Sequence, residues 1–464
     1  MTVPRSNSYN SRERAHPPEE VTMPTRSYAW PLGHWDWYQH LAFKHGVRAG
    51  EMAFVGGQVD KSSTGEPLHA FDLATQTAVV IRHIDTVLRE FGAGLANVVK
   101  LVAFYATDGS VDETAFLADI ARHVLAHGGA PDGVGPAITL VPLPCLALPG
   151  MMVEIEAIAM LGMHGERLPR TTANPPALAP LPPPFSHGVR CGEHIWTSAQ
   201  GKGARQTVPP PPTQSRGTGL TALRRRSRAS RMTDGSLQYP QDLVAQTAVA
   251  MEQVAQVLAV LGADLDDTVK LGTWYRGGGA RATWESAARQ RASYFTAPGP
   301  TVSTLPTPSL PPGDMTRVDA WAMRGADGQR LARTYAQLHD AWRWPVAWPA
   351  ATGLQCGEFI FVGQQVALDA QGRPIAPGDL LEQTRRVMES TRTVLTSFGL
   401  TLDDMVKQNS FYQGQADPET IVTNQRYRSS FYSEPAGAST GVPLPCLPLE
   451  DLLVSVETVA MTRS

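Results

Sequence analysis

The chain is expected to fold as an α+β protein of three tandem domains, each a mixed β-sheet with two helices on one face, closed on itself as an intramolecular pseudo-trimer. Three observations predict this. The same 24-residue step separates Gln76-Thr77 from Lys100, Gln246-Thr247 from Lys270 and Gln383-Thr384 from Lys407, each lysine preceded by valine. Flanking blocks recur in the same order around each anchor, the mark of one folding unit written three times. Within each unit helical and strand patterns alternate in a way that leaves one sheet face without helical cover.

The elements follow in order. His45-Gly46-Val47-Arg48 opens the first unit and returns as His187-Gly188-Val189-Arg190 and, more loosely, as Thr352-Gly353-Leu354-Gln355. A hairpin strand around Phe54 to Val59 comes next. After Gln-Thr, the residues Ile81, Ile84, Val87, Leu88 and Phe91 recur as Met251, Val254, Val257, Leu258 and Leu261. That spacing is one buried helical face. Gly92, Gly262 and Gly399 stand at the helix ends, where a left-handed residue is wanted. Strands Val98 to Tyr105, Thr268 to Tyr275 and Met405 to Tyr412 follow, then a second helix. A Pro-bounded strand (Ala137 to Leu143; Ala438 to Leu444) precedes the closing strand. The latter reads Val153-Glu154-Ile155-Glu156, Thr316-Arg317-Val318-Asp319 and Val454-Ser455-Val456-Glu457. Three bare apolar sheet faces can cover one another around a pseudo-threefold axis.

Composition shifts divide the chain into a disordered segment 1–25, a domain over 26–162, a Pro-rich linker 163–184, a domain over 185–324, a linker 325–349 and a domain over 350–464. Tyr335, Trp342, Trp344 and Trp348 suggest that the second linker packs on the surface. The middle domain carries an insertion over about 202–236 with Pro209-Pro210-Pro211-Pro212 and Arg224-Arg225-Arg226-Ser227-Arg228, the composition of a solvated disordered loop.

Forty basic and forty-three acidic residues give a formal charge of −3 over 464 residues. No global field points to nucleic acid or membrane, and a small molecule is the expected partner. The polar N-terminus and the lack of a long apolar run predict a cytoplasmic monomer, with a homodimer of such pseudo-trimers as a further option. Cys145 and Cys446 share the context Leu-Pro-Cys-Leu, and Cys191 and Cys356 share Cys-Gly-Glu. Equivalent positions in separate copies are poor disulfide candidates and lack zinc spacing, so these read as reduced, mostly buried thiols. The histidines of the first domain, His34, His40, His45, His69, His83, His123 and His127, share no metal spacing either. No phosphate loop, nucleophile elbow or dinucleotide fingerprint appears, so no cofactor and no metal is expected.

In these blocks each copy resembles the RidA (YjgF/YER057c/UK114) family, over most of residues 40–160, 183–324 and 347–462. The resemblance implies a trimer-like assembly with ligand pockets in the clefts between neighbouring units. It also implies hydrolysis of reactive enamines or imines, with an arginine on the Pro-bounded strand gripping the substrate carboxylate. Here the sequence departs. The anchor position is Ile138 in the first copy, Val302 in the second and Ser439 in the third, so the grip is expected to be lost at all three seams. Arg48 and Arg190 are the nearest arginines that could replace it.

Other substrate-binding positions implied by the resemblance are Phe43 and Phe185 (Ala350 in the third copy), and the hairpin positions Gly57, Ser198 and Gln364. Asn424 on the second helix completes the set. The acid of the closing strand, Glu156, Asp319 or Glu457, is the candidate general acid or base. Apolar replacement of a charge clamp suits a larger, less charged, aromatic ligand. The leading expectation is a cofactor-independent enzyme of specialised, natural-product metabolism, a cyclase or lyase acting on an unstable carbonyl, enamine or quinonoid intermediate. Deamination of an imine lacking a carboxylate, a hydrolase reaction, stands beside it. A non-catalytic metabolite-binding protein is the third option.

Overall fold

The computed structural model describes residues 26–35, 41–201, 230–231, 237–238, 242–336, 338, 342–346, 348–414 and 417–462. Segment 1–25 and nearly all of the insertion over 202–236, with its arginine run, lie outside them. The fold is α+β with mixed sheets. Three large sheets share one strand order. In the first, the order is Ser27–Ala29, Gly46–Ala49, Met52–Gln58, Val153–Met160, Val98–Ala106 and Ala137–Leu143. All neighbours are antiparallel except the last pair, which is parallel and needs a crossover, supplied by the helix Glu113–Ala126.

The repeated anchors have a physical cause. Asp72, Asp242 and Asp379 cap the first helix of each set, accepting from the amides of Thr75, Ala245 and Glu382. One turn in, each glutamine ties the helix to the loop before the closing strand. Gln76 donates to Gly150 O and accepts from Met152 N; Gln246 does the same with Gly313 and Met315, and Gln383 with Asp451 and Leu453. Gly92, Gly262 and Gly399 end these helices at φ of 71°, 76° and 76°, conformations that L side chains resist.

The helix Leu243–Val260 is long and apolar enough to cross a membrane by length and composition. Its stripe of Met251, Val254, Val257 and Leu258 is fully buried against Val318, Ala320 and Ala322 of the second sheet, which makes it a core helix.

Two features differ from expectation. The segments read as linkers also build sheet: Arg170–Ala173 and Arg333–Tyr335 are edge strands of the second and third sheets, matching Ser27–Ala29 in the first. Further, Phe43–Lys44 leaves its own sheet to pair in parallel with Ala436–Leu444 of the third. Faces without helices pack together. Phe54, Trp196, Trp321 and Phe361, with Val99, Val269 and Val406, form one buried cluster drawn from all three sheets.

Candidate functional site

Where the sheets meet, three ion pairs run in a cycle. Lys100 Nζ lies 2.9 Å from Asp319, Lys270 Nζ 2.9 Å from Glu457, and Lys407 Nζ 2.8 Å from Glu156. Each acid thus meets the lysine of a neighbouring sheet. A hydroxyl from the Pro-bounded strand completes each pair: Thr139 donates to Asp319, Ser303 to Glu457 and Thr440 to Glu156. Asn409 donates to both Glu156 and Glu457. The groups border a cavity of about 90 Å³ beside Phe54, Trp196 and Trp321.

Burial works to raise the carboxyls of Glu156 and Asp319, but the facing lysine and hydroxyl outweigh it and hold both below the ordinary range. An acid held ionised in a buried pair is a poor proton donor and a weak base. The expectation that Glu156 and Asp319 carry proton transfer does not fit this geometry, and all three acids, Glu457 included, bridge neighbouring sheets.

Further seams lie between each pair of sheets, and each is bridged by a hydrogen bond between a hairpin residue and a Pro-bounded strand, the strand donating in the first two and the hairpin in the third. Ile138 N donates to Ser198 Oγ, Thr304 N to Gln364 Oε1 and Gly57 N to Thr440 Oγ1, all at 2.9 Å. The structure therefore brings Ile138 and Ser198 together at the first cleft, between the first and second sheets. Val302 and Gln364 line the second, between the second and third sheets. Gly57 and Ser439 meet at the third seam, between the third and first sheets, where a β-carbon on the preceding Gly56 would come within 2.7 Å of Ser439 O.

Phe43 lies at the seam between the third and first sheets, its ring 5.4 Å from that of Tyr432 and 5.6 Å from the Arg428 guanidinium. Phe185 is buried in the core of the first sheet. Asn424 is fully buried, donating to Thr384 and accepting from Arg428 Nε. It shapes the support beneath Phe43 and lines none of the described cavities. Arg48 and Arg190 are not in the clefts. Arg48 binds the carbonyls of Gly50 and Gly162, and Arg190 those of Gly192, Leu261, Arg324 and Gly325, so both brace loops.

The seams differ at a position that the sequence reading passed over, two residues before each bridging acid. Period-two geometry places it on the same sheet face. It is Glu154, Arg317 or Ser455.

At the first cleft an arginine does arrive from elsewhere, but it is Arg317 and neither Arg48 nor Arg190. Arg317 lines a cavity of about 230 Å³ with Glu113, Ile138, Leu140 and His187. Its Nη1 and Nη2 lie 2.7 and 2.6 Å from the two Glu113 oxygens, Nη1 also donates to Leu140 O, and Nη2 reaches Asp314 at 3.3 Å. The guanidinium is occupied by acids of the protein, so no carboxylate grip is restored.

The second cleft, about 290 Å³, is lined by Val302, Gln364 and Trp342, Trp344 and Trp348 of the second linker. Trp344 stacks on Trp284 at 4.9 Å between ring centroids. The linker tryptophans thus line a cavity instead of merely covering a surface.

The seam between the third and first sheets holds Glu154. Its carboxyl lies against the bare α-carbon of Gly57, where a β-carbon would fall 1.8 Å from Oε1. It is 3% exposed and makes no hydrogen bond to any described residue. Burial, reinforced by Glu156 against the pull of Lys61, pushes it up to about 8. Burial likewise depresses Lys61, against the pull of Glu154, to about 7. Nearby, His34 Nε2 meets Gln58 Oε1 at 2.8 Å, and the rings of His45 and His83 pack edge-on against His34. Among the described residues no three acids, histidines or cysteines are grouped to hold a metal.

Comparison with known proteins agrees with the fold. The endoribonuclease L-PSP family matches residues 38–161 and 347–462, just over half of the chain. A RutC family protein of Pyrococcus abyssi is 32% identical over 112 residues, 24% of this chain and 85% of that protein. One of Pyrococcus horikoshii is 28% identical over 112 residues, 24% of this chain and 86% of its own. A crystal structure of chorismatase covers 79% of this chain and 93% of its own at 13% identity and a TM-score of 0.47. The α+β architecture defines a protein with RidA-like sheets. The chain belongs to the endoribonuclease L-PSP family, the group that includes the RutC and YjgF/YER057c/UK114 proteins.

Proposed function

We propose that three RidA-like repeats close here into one intramolecular pseudo-trimer, and that the third seam works as a cofactor-independent proton-transfer site. Its substrate is an uncharged carbonyl, enamine or quinonoid intermediate of specialised metabolism, and the reaction a cyclisation or elimination. The observation that carries this reading is Glu154, buried against Gly57 with no hydrogen bond to a described residue and within the field of the Lys61 amine. A carboxyl raised to about 8 and an amine lowered to about 7 would supply an acid and a base near neutral pH. Glu154 would donate to a developing oxyanion while Lys61 takes a proton from carbon, or the reverse in the return step. Ser439 at the anchor position offers no charge to a carboxylate, which favours a neutral substrate.

Hydrolytic deamination of an uncharged imine can use the same pair, and the family resemblance favours it as the second reading. RNA cleavage fits less well, because Lys100, Lys270, Lys407 and Arg317 are each paired with acids and offer little to phosphates. The deciding experiment incubates the protein with enolisable ketones and with uncharged imines. Proton exchange into deuterated water and ammonia release are followed together. Exchange lost in Glu154→Gln supports the proposal; exchange unchanged in that variant removes it. Ammonia without carbon exchange would transfer the site to the deaminase reading.

A further inference from the structure

The first cleft carries a ligand preference of its own, independent of the chemistry at the third seam. Its lining includes four side chains able to carry charge: Glu113, Asp314, Arg317 and His187. Burial holds His187 below its usual range, so it is neutral near pH 7, with Nε2 turned to Ala179 O. Among the described side chains of the lining, two carboxylates against one guanidinium leave a formal charge of −1. Both terminal nitrogens of Arg317 already face acceptors of the protein. An incoming carboxylate would have to displace Glu113 from a two-pronged pair.

A second observation points the same way. Gln253, from the helix Leu243–Val260, is 7% exposed and lines this cavity, and its Oε1 has no hydrogen-bond partner among the described residues. A buried acceptor left unpaired costs on the order of 1–3 kcal/mol, so a ligand that brings an N–H recovers it. Ile138 and Leu140 supply apolar wall on the opposite side.

We propose that the cleft between the first and second sheets is a binding site for a small protonated amine with an apolar body, its ammonium donating to Gln253 Oε1 beside Glu113 and Asp314. At about 230 Å³ the site is smaller than the ~300–1,000 Å³ typical of drug-sized ligands, which suits a single ring and a short chain. The charge preference is the opposite of that implied by resemblance to carboxylate-gripping relatives.

The test is calorimetric titration of the full chain with three isosteric probes: phenethylamine, phenethyl alcohol and phenylacetate. The amine is expected to bind at least about tenfold more tightly than the alcohol, with the carboxylate weakest. Gln253→Leu and Asp314→Asn should each weaken the amine about tenfold and leave the alcohol unchanged, while Gln364→Leu, in the second cleft, should change nothing. Unaltered thermal midpoints of Gln253→Leu and Gln364→Leu keep the comparison valid if Asp314→Asn is unstable. The proposal is overturned if the amine gives no saturable heat, if alcohol or carboxylate binds as tightly as the amine, or if Gln253→Leu leaves amine affinity intact. None of these outcomes depends on activity at the third seam.

Discussion

Lys407 Nζ of the third sheet lies 2.8 Å from Glu156 Oε2 of the first, joining residues 251 positions apart in the chain. With Lys100–Asp319 and Lys270–Glu457 it closes a cycle in which every sheet lends a lysine to one neighbour and an acid to the other. Pairs this deeply buried gain little over apolar packing, but half a pair is costly, so the cycle specifies which sheet meets which.

Lys407→Met is therefore expected to destabilise the protein by roughly 3–5 kcal/mol in urea unfolding, because Glu156 is left charged and buried. Adding Glu156→Leu to it should recover most of the loss. The pH dependence follows from the depressed Glu156 carboxyl. Its stabilising contribution is present above the ordinary value of 4.5 and is lost as pH falls through its lower folded value. Acid titration of the thermal midpoint checks this.

Glu154 behaves in the opposite sense. The folded protein keeps its proton up to about 8 and the unfolded chain releases it near 4.5, so this group's contribution is full below 4.5 and fades as pH rises through 8. In catalysis the protonated acid is present below about 8 and the neutral Lys61 amine above about 7, which predicts a rate maximum between the two. Glu154→Gln and Lys61→Met should each lower kcat by about 10²- to 10⁴-fold. A pH–rate profile with neither limb in that window would count against the pair.

Arg190→Gln should cost about 1–3 kcal/mol, since the guanidinium satisfies four loop carbonyls that the shorter amide cannot all reach. Ligand affinities should stay as they are. A changed affinity at unchanged stability would place Arg190 in a binding role after all.

Cys191 and Cys356 are buried, and burial pushes both thiols up, whereas Cys145 and Cys446 are half-exposed. Titration of the native protein with a chromogenic disulfide should label Cys145 and Cys446 first and release the other two only on unfolding. Four equally fast thiols would contradict the packing of Cys191 and Cys356.

The sequence by itself determined the α+β class, the element order and the repeated anchors, because each depends on contacts near in the chain. Asp72 capping Thr75 and Gly92 at positive φ act within a turn of their own helix, and they recur as Asp242 and Asp379 and as Gly262 and Gly399. The tertiary structure alone decided what the acids do. Glu156 and Glu154 stand two residues apart on one face of one strand, and the sequence singled out only the first. Lys407 and Thr440 reach the first from another sheet, whereas the second lies against Gly57 with no hydrogen bond to a described residue. In the same way Arg317 reads as a free cation until Glu113, 204 positions away, is seen to hold it. Charge on a buried group depends on its neighbours across the seams, and those neighbours are fixed only when the sheets come together.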